Sequence, residues 1–555
     1  MPNFLSAGVA IQENVLSASF PSFSTSSAAI VGYSNKGRLD VPIITTPAQF
    51  LQEYTIGGQV PLGSNFHYSA LAYLQNGTQL YVQRVAYTDT LYSGARIKTS
   101  TSSQTNAALS SGASTTAFTS VSGNQDLFEV FSKDPGAWGN NISVQVTNIQ
   151  NTSLPYTFEI DVYLTNPYNG VTTLVEAWTM LSRNQTALDG YGNPMYFMTK
   201  INGYSQYIVV ADNTTYANTI VPKSQATNLS LAGGVDSVSV GTDTNGSNLP
   251  ASQVALGWFT FTNKDNYDVR ILINAGYTGA TVQSAMLAVV DSRMDCIALF
   301  DHPFQGTTSP SSTVAQNVVT FRTSTQNFND QRAALYSPWL KINDNWNNQI
   351  VYVPPSGYVA SAYAYNDYIG DVWMSPAGFT RGVLDVLGTS TVYSQGDRDL
   401  LYPNQINPIQ TFRGSGIVIY GDKNETATPG IFDRINVRRL IDIIEMTLKA
   451  YLRQFLFENN IPLTRTKVAS GILTYLAGLY SQGAFNPIGP TGQSDKGYAV
   501  ICDTTNNTPA TISAHTLYVD VYVRPAQSIN FILLRMNVMD SQVSITTLSS
   551  TGTLL

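Results

Sequence analysis

The sequence predicts an α+β/α/β multidomain chain with a discontinuous α/β core, an inserted all-β domain and extended β arms at both ends. Three observations carry this. Apolar runs alternate with helix-spaced stretches on both sides of residues 99–232. The stretch between them reads mainly with a period of two. Each end of the chain holds short, isolated extended segments. The length agrees, since 555 residues correspond to about three to four domains.

Residues 1–22 form the first arm. Gly8-Val9-Ala10-Ile11-Gln12-Glu13 is extended in character, and a Ser/Thr/Pro-rich run follows from Phe20 to Ser27. Alone this arm buries almost nothing, so it packs on something else or stays unfolded. Residues 23–98 open the core. Ala28–Tyr33 is a short apolar strand, Pro47–Tyr54 one or two helical turns, and Tyr68–Leu74 a helix stopped by Asn76-Gly77. Leu80–Val85 is the next strand.

Residues 99–232 form the insert. It opens with a Ser/Thr-rich flexible connector over 99–125. Phe158, Ile160, Val162 and Leu164 alternate with Glu159, Asp161 and Tyr163, the mark of a half-buried strand. Leu127–Phe131, Ile142–Val146 and Thr172–Trp178 are further strands, and little suggests helix.

Residues 233–415 return to α/β. Asp268–Ile273 and Cys296–Phe300 are buried strands with helical spacing over Thr281–Val290 between them, which implies a right-handed parallel crossover. In residues 416–536 the clearest helix is Asp433–Glu458, where Leu440, Ile444, Leu448, Leu452 and Phe455 share one apolar face. A second helix is expected over Thr464–Tyr480. Strands are expected at Tyr498–Cys502, in the alternating run Leu517–Val523, and at Asn530–Met536, which includes Phe531 and Leu533. Residues 537–555 are a Ser/Thr-rich arm with one alternating piece, Val543-Ser544-Ile545. This arm either lengthens the exchanged segment or stays unfolded.

Composition limits the function classes. Charged residues make up 12% of the chain, against a usual ~25%. A surface so poor in charge has little repulsion against self-association, which points to coverage by other copies. The net charge of −7 leaves no overall basic balance for nucleic acid. No stretch reaches the ~20 apolar residues of a membrane span. Two cysteines, Cys296 and Cys502, exclude a disulfide framework and fit a reducing compartment.

Catalytic patterns are also missing. His67, His302 and His515 show no zinc-binding spacing. Gly32-x4-Gly37 is followed by Arg38-Leu39 where a phosphate loop needs Lys-Ser/Thr. Asp265-Asn266-Tyr267-Asp268 lacks the further ligands of a calcium loop. Gly414-Ser415-Gly416 lacks the spacing of a nucleophile elbow. No enzyme activity and no cofactor is expected.

The motifs nevertheless run in a recognisable order. Gly8-Val9-x-Ile11-x-Glu13, Ala28–Gly37, Phe66–Val85, Pro135-Gly136-Ala137-Trp138-Gly139-Asn140, Tyr336-Ser337-Pro338-Trp339, Val353-Pro354-Pro355-Ser356-Gly357 and Ser375-Pro376-Ala377-Gly378 are collinear. So are Ile435–Leu440, Phe457–Asn460, Tyr498–Asp503 and Arg524-Pro525-Ala526. In this order the chain resembles the tail sheath proteins of contractile-tailed bacteriophages. It departs from that pattern at Ala7, where a proline is usual.

Physics and resemblance meet at the arms. A lone strand that cannot fold back satisfies its backbone groups by adding to a neighbour's sheet edge. The inter-subunit strands are then Val9, Ala10, Ile11, Phe531, Leu533, Val543 and Ile545, and such non-closing contacts build a helical tube. The resemblance implies a homo-oligomer stacked around a tail tube protein, with baseplate and tail terminator proteins as further partners and no direct contact with nucleic acid or membrane. It also implies contraction from a metastable extended state, residence in the virion tail and assembly in the host cytoplasm. By the same resemblance residues 416–536 face the tube, with Arg434, Arg438, Lys449 and Arg453 as candidates. These cations form either a basic patch against an acidic tube or a solvated or sheath–sheath face. A sheath of a non-viral contractile injection machine and a glycan-binding tail protein are the alternative readings.

Overall fold

In a computed structural model of the chain, the described residues are 20, 23–87, 89–119, 125–236, 251–488 and 495–530. A nine-stranded sheet forms the centre. Its spatial order is Val383–Leu384, Gly416–Ile419, Ile406–Phe412, Ala333–Ser337, Ile297–Asp301, Ile271–Ile273, Ala28–Gly32, Leu80–Arg84 and Ile43–Ile44. Neighbours from Ile406–Phe412 through to Leu80–Arg84 are parallel, and the outer strands are antiparallel. The inner strands are buried on both faces, as their continuous apolar sequences require of a parallel sheet. The crossover between Ile271–Ile273 and Ile297–Asp301 runs through the helix Ala280–Arg293, in line with the spacing of Thr281–Val290.

Helices cover this sheet in pairs. Ala251–Phe259 packs on Ala280–Arg293, and Asn65–Tyr73 packs on Ser356–Ile369. The second pair nearly touches backbone to backbone. A Cβ on Gly357 would lie 2.5 Å from the Ser69 Cα, so only glycine allows this approach. The Asp301 carboxylate, at the end of its strand, accepts from the Ser356 amide at 2.9 Å and the Ser356 hydroxyl at 2.7 Å. It thereby anchors the start of the helix Ser356–Ile369 where the helix dipole favours an anion.

Between the two halves of the core the chain builds two four-stranded sheets. One orders Ile208–Asp212, Asp126–Ser132, Gly94–Lys98 and Ala107–Ala108; the other orders Leu229–Ser230, Ile142–Gln150, Thr157–Thr165 and Thr172–Leu181. Phe158, Ile160, Val162 and Leu164 are buried, matching their alternation. The region also holds the helix Phe197–Tyr204, which corrects the all-β expectation; Phe197 and Ile201 fix it by packing into the sheets. Gly94–Lys98, read from sequence as part of the core, pairs instead with Asp126–Ser132. Residues 99–119 are less free than a connector. Asn106 accepts from the Lys98 amide at 2.8 Å, and the Thr119 amide donates to the Glu129 carboxylate at 2.9 Å.

The join between the core and this β-rich region rests on Arg84. Its buried guanidinium donates to the carbonyls of Ser34 at 2.8 Å, Gly37 at 2.7 Å, Asn35 at 3.3 Å and Pro135 at 3.0 Å. The Gly32–Gly37 loop is therefore a carbonyl cradle around a cation, opposite in polarity to a phosphate loop. Gly136 adopts φ +130°, and a Cβ there would meet the Asp236 carboxylate at 2.6 Å. That explains the glycine in the motif Pro135–Asn140. Trp138 is sealed beneath it, donating to the Asp134 carbonyl at 3.1 Å.

The C-terminal part is a helical hairpin, Ile435–Leu452 and Pro462–Ser481, with the antiparallel ribbon Tyr498–Ile501/Asp520–Val523 against it. Leu440, Ile444 and Leu448 pack with Val468, Ile472 and Leu476 in a core of their own. The first helix ends at Leu452, earlier than the expected Glu458, and passes through a 3₁₀ turn at Arg453–Phe455. Leu456 is extended and Phe457 left-handed, so the helix stops and Phe455, the last residue of the expected apolar face, falls in the 3₁₀ turn.

Replacing Arg84 tests the join. Arg84→Met leaves the four carbonyls without their donor. It should cost roughly 3 kcal/mol of unfolding free energy in a urea titration, while Arg38→Met, on an exposed side chain, should cost below about 1 kcal/mol.

Candidate assembly surfaces

The ribbon Tyr498–Ile501/Asp520–Val523 has two strands, so each has one edge with no partner strand among the described residues. A two-stranded unit is marginal by itself and presents open N–H and C=O groups. The first and last described residues pack on the hairpin and on the core beside it. Phe20 stacks on Tyr451 at 4.3 Å and on Tyr475 at 5.0 Å, fastening the root of the N-terminal segment to the helical hairpin. The Thr25 carbonyl accepts from Arg439 at 3.1 Å. At the other end, the Asn530 side-chain amide meets the Tyr402 hydroxyl at 3.0 Å. The expected arm residues Val9, Ala10, Ile11, Phe531, Leu533, Val543 and Ile545 lie outside the described residues.

The four candidate cations separate into two pairs. Arg434 is ion-paired with Asp433 at 3.1 Å and near Asp422 at 3.7 Å. Arg438 is buried, holding Asp442 at 2.7 Å and Glu445 at 3.3 Å, with its guanidinium 5.0 Å from the Phe432 ring. Lys449 and Arg453 are exposed and form no ion pair with a described residue. The long helix thus turns its N-terminal arginines inwards and its C-terminal cations outwards.

The inward arginines dock the hairpin on the core. Asp442 also takes Arg332 at 2.9 Å, so one carboxylate joins the helix to the strand that begins at Ala333. Arg439 grips Asp367 through two bonds of 3.0 and 2.7 Å and lies 4.9 Å from the Tyr363 ring. Sequence reading missed these roles because an arginine on an amphipathic helix looks like surface charge. The signal available was position. Arg438 and Arg439 directly precede Leu440 in the first turns of the helix, which become buried.

Buried ionisable groups elsewhere serve the fold. His67 bridges the Ser64 hydroxyl at 2.6 Å and the Tyr54 carbonyl at 3.0 Å, and burial lowers it to about 4. His302 meets the Ser337 hydroxyl at 2.9 Å and the Pro303 carbonyl at 2.9 Å, and burial lowers it likewise to about 4. The Ser337–His302 contact is sealed, Ser337 being wholly buried, so it offers no nucleophile to a substrate. Asp301 is raised to about 6 by burial. Burial pushes Glu425 up to about 8, against the opposing pull of Arg322. Among the described residues no cluster of His, Cys, Asp and Glu could hold a metal ion. No helix among them is long and apolar enough to cross a membrane.

A mixed α/β chain with several sheets, one discontinuous parallel core and an open-edged C-terminal ribbon is similar to proteins of one class. Residues 258–425 match the family model described as the phage tail sheath protein central domain, which spans most of the nine-stranded sheet. The chain is 32% identical over 321 residues to the tail sheath protein of Enterobacteria phage T4, covering 55% of this chain and 46% of that one. It is 34% identical over 270 residues to the tail sheath protein of Vibrio phage KVP40, covering 46% of this chain and 39% of that one. The chain thus spans about half the length, or less, of these relatives. Among solved structures, a sheath tail protein from Listeria innocua shares the fold with a TM-score of 0.54 at 12% identity, over 88% of this chain and 90% of that one. The resemblance to tail sheath proteins of contractile-tailed phages is therefore borne out, and the middle of this chain is similar to their central domain.

Glu425 predicts a pH dependence. Its carboxyl keeps a proton in the fold that the unfolded chain has already lost, so stability falls as pH rises towards about 8. Between about pH 6.5 and 8 the lowered histidines act in the opposite sense, adding stability as the unfolded chain loses their protons, and they do so equally in wild type and variant, so the difference between the two reports Glu425. In that window Glu425→Gln should abolish a fall of about 2 kcal/mol in unfolding free energy, followed by urea titration at each pH.

Proposed function

We propose that this chain is the structural subunit of a contractile phage tail sheath. It polymerises helically around a tail tube and contracts from a metastable extended state to drive the tube through the host envelope. The observation that carries this is the alignment with tail sheath proteins at about one-third identity over roughly half the chain. Stored conformational free energy drives the motion, in keeping with the arginine cradle that stands where a phosphate loop would need free amides. The subunit is not an enzyme and takes no cofactor.

In this proposal the segments 1–22 and 537–555 are exchange arms that add to the open ribbon edges of neighbouring copies. The α/β core comprises 23–98 and 233–415, the 99–232 insert faces outward, and 416–536 faces the tube. Of the four candidate cations, Lys449 and Arg453 are free to meet an acidic tube, whereas Arg434 and Arg438 are committed to carboxylates of their own subunit. Baseplate and tail terminator proteins bound the stack. The subunit assembles in the host cytoplasm and resides in the virion tail.

Purified chain should form long tubes in negative-stain micrographs. Deleting residues 1–20 should leave folded, soluble subunits that form none, with circular dichroism unchanged in shape. A full-length chain that stays monomeric at high concentration in sedimentation would contradict the proposal.

A further inference from the structure

The last described residues form a strap whose end is held by side chains alone. Beyond the ribbon strand Asp520–Val523, Pro525 is buried and the Ala526 amide donates to the Ala484 carbonyl at 2.9 Å, which keeps this stretch on the hairpin. Among the described residues no backbone hydrogen bond fastens 527–530. Ile529 is 80% exposed, so its apolar side chain does not anchor the strap.

Two polar side chains do so instead. The Ser528 hydroxyl donates to the Asp422 carboxylate at 2.5 Å, and the Asn530 amide oxygen accepts from Arg434 at 2.7 and 3.1 Å. Both receivers are fixed before the strap arrives. Asp422 is buried just past the strand Gly416–Ile419 and also accepts from the hydroxyls of Ser375 at 3.0 Å and Tyr402 at 3.2 Å. Arg434 directly precedes the helix Ile435–Leu452 and keeps its remaining nitrogen on Asp433 at 3.1 Å. One node thus joins the end of the central sheet, the start of the hairpin and the strap. Each of the two strap bonds has a charged partner and is stronger than a bond between neutral groups.

We propose that Asp422 and Arg434 form a polar latch for the strap 525–530, and that this latch fixes the point from which the C-terminal exchange arm proposed above leaves the subunit. The inference rests on that reading of residues 537–555 as an arm. It gives Arg434 a task other than meeting the tube, since its guanidinium holds its own chain. An unlatched strap samples many directions, which lowers the effective concentration of the arm at a neighbour's sheet edge. A latched root removes that freedom before assembly, so less ordering remains when copies meet.

A nitroxide on Ile529→Cys reads the strap directly, because native Cys296 and Cys502 are buried. In the unassembled full-length chain its electron paramagnetic resonance spectrum should show slow motion. Adding Ser528→Ala and Asn530→Ala should raise the ratio of mobile to immobile label about tenfold. Thermal melting should not move, because neither side chain is buried. Gln527→Ala, exposed and outside the latch, should leave the spectrum as it is. Without the label, Ser528→Ala with Asn530→Ala should raise the concentration needed for tube formation about tenfold. A label as slow in the latch variant as in its parent overturns the latch. A mobile label with tubes at the wild-type concentration overturns its role in placing the arm. A wild-type chain that forms no tubes overturns the sheath reading, and the spectra then still decide the latch.

Discussion

A guanidinium shut away from water must give its N–H groups to oxygen atoms, and four of the buried arginines show how the rest of this structure is arranged around that need. Arg84, Arg183, Arg293 and Arg439 are all buried. Arg84 draws the Gly32–Gly37 loop to Pro135. Arg439 ties Asp367 and the Thr25 carbonyl to the long helix. Arg293 closes the end of its helix on the carbonyls of Phe261 at 2.8 Å and Tyr267 at 3.0 Å, and Arg183 gathers Asp212 with the carbonyl of Asn213. The planar fork reaches several acceptors at once, which lysine cannot do. Charge scarcity thus has an internal side: with 12% charged residues, a share of the few cations is spent on the joins.

This arrangement suits the force-transmitting sheath subunit proposed above. Breaking a buried charge contact costs several kcal/mol, whereas surface ion pairs cost little. Core, β-rich region and hairpin are therefore held to one another more firmly than any poorly charged outer face is held to water. Under the proposed load, the places left to give are the contacts between copies. The open ribbon edges and the exposed side chains of Leu456 and Phe457 lie outside the clamps.

The sequence was legible where one local pattern determined the outcome. The alternation from Phe158 to Leu164 yields a half-buried strand because one face meets a core. Leu440, Ile444 and Leu448 do the same for a helix. Strand–helix–strand spacing from Asp268 to Phe300 leads to a parallel crossover by chirality alone. What escaped depends on partners far along the chain. Gly94–Lys98 finds Asp126–Ser132 across a Ser/Thr-rich stretch whose composition says only that it turns. The helix Phe197–Tyr204 is set by Phe197 and Ile201 entering a core built by strands before it. Arg438 resembles any solvated cation until Asp442 and Arg332 are placed beside it. The arm strands were read from isolation at the ends, a property of the sequence that the described residues neither pair nor replace.

The most direct measurement is a density map of the assembled tube at side-chain resolution. The account predicts that Arg84 and Arg439 keep the partners described above in every copy, while a free edge of Tyr498–Ile501 or Asp520–Val523 gains a strand from a neighbouring copy. A tube in which those arginines have exchanged partners, with both ribbon edges still open, would contradict it.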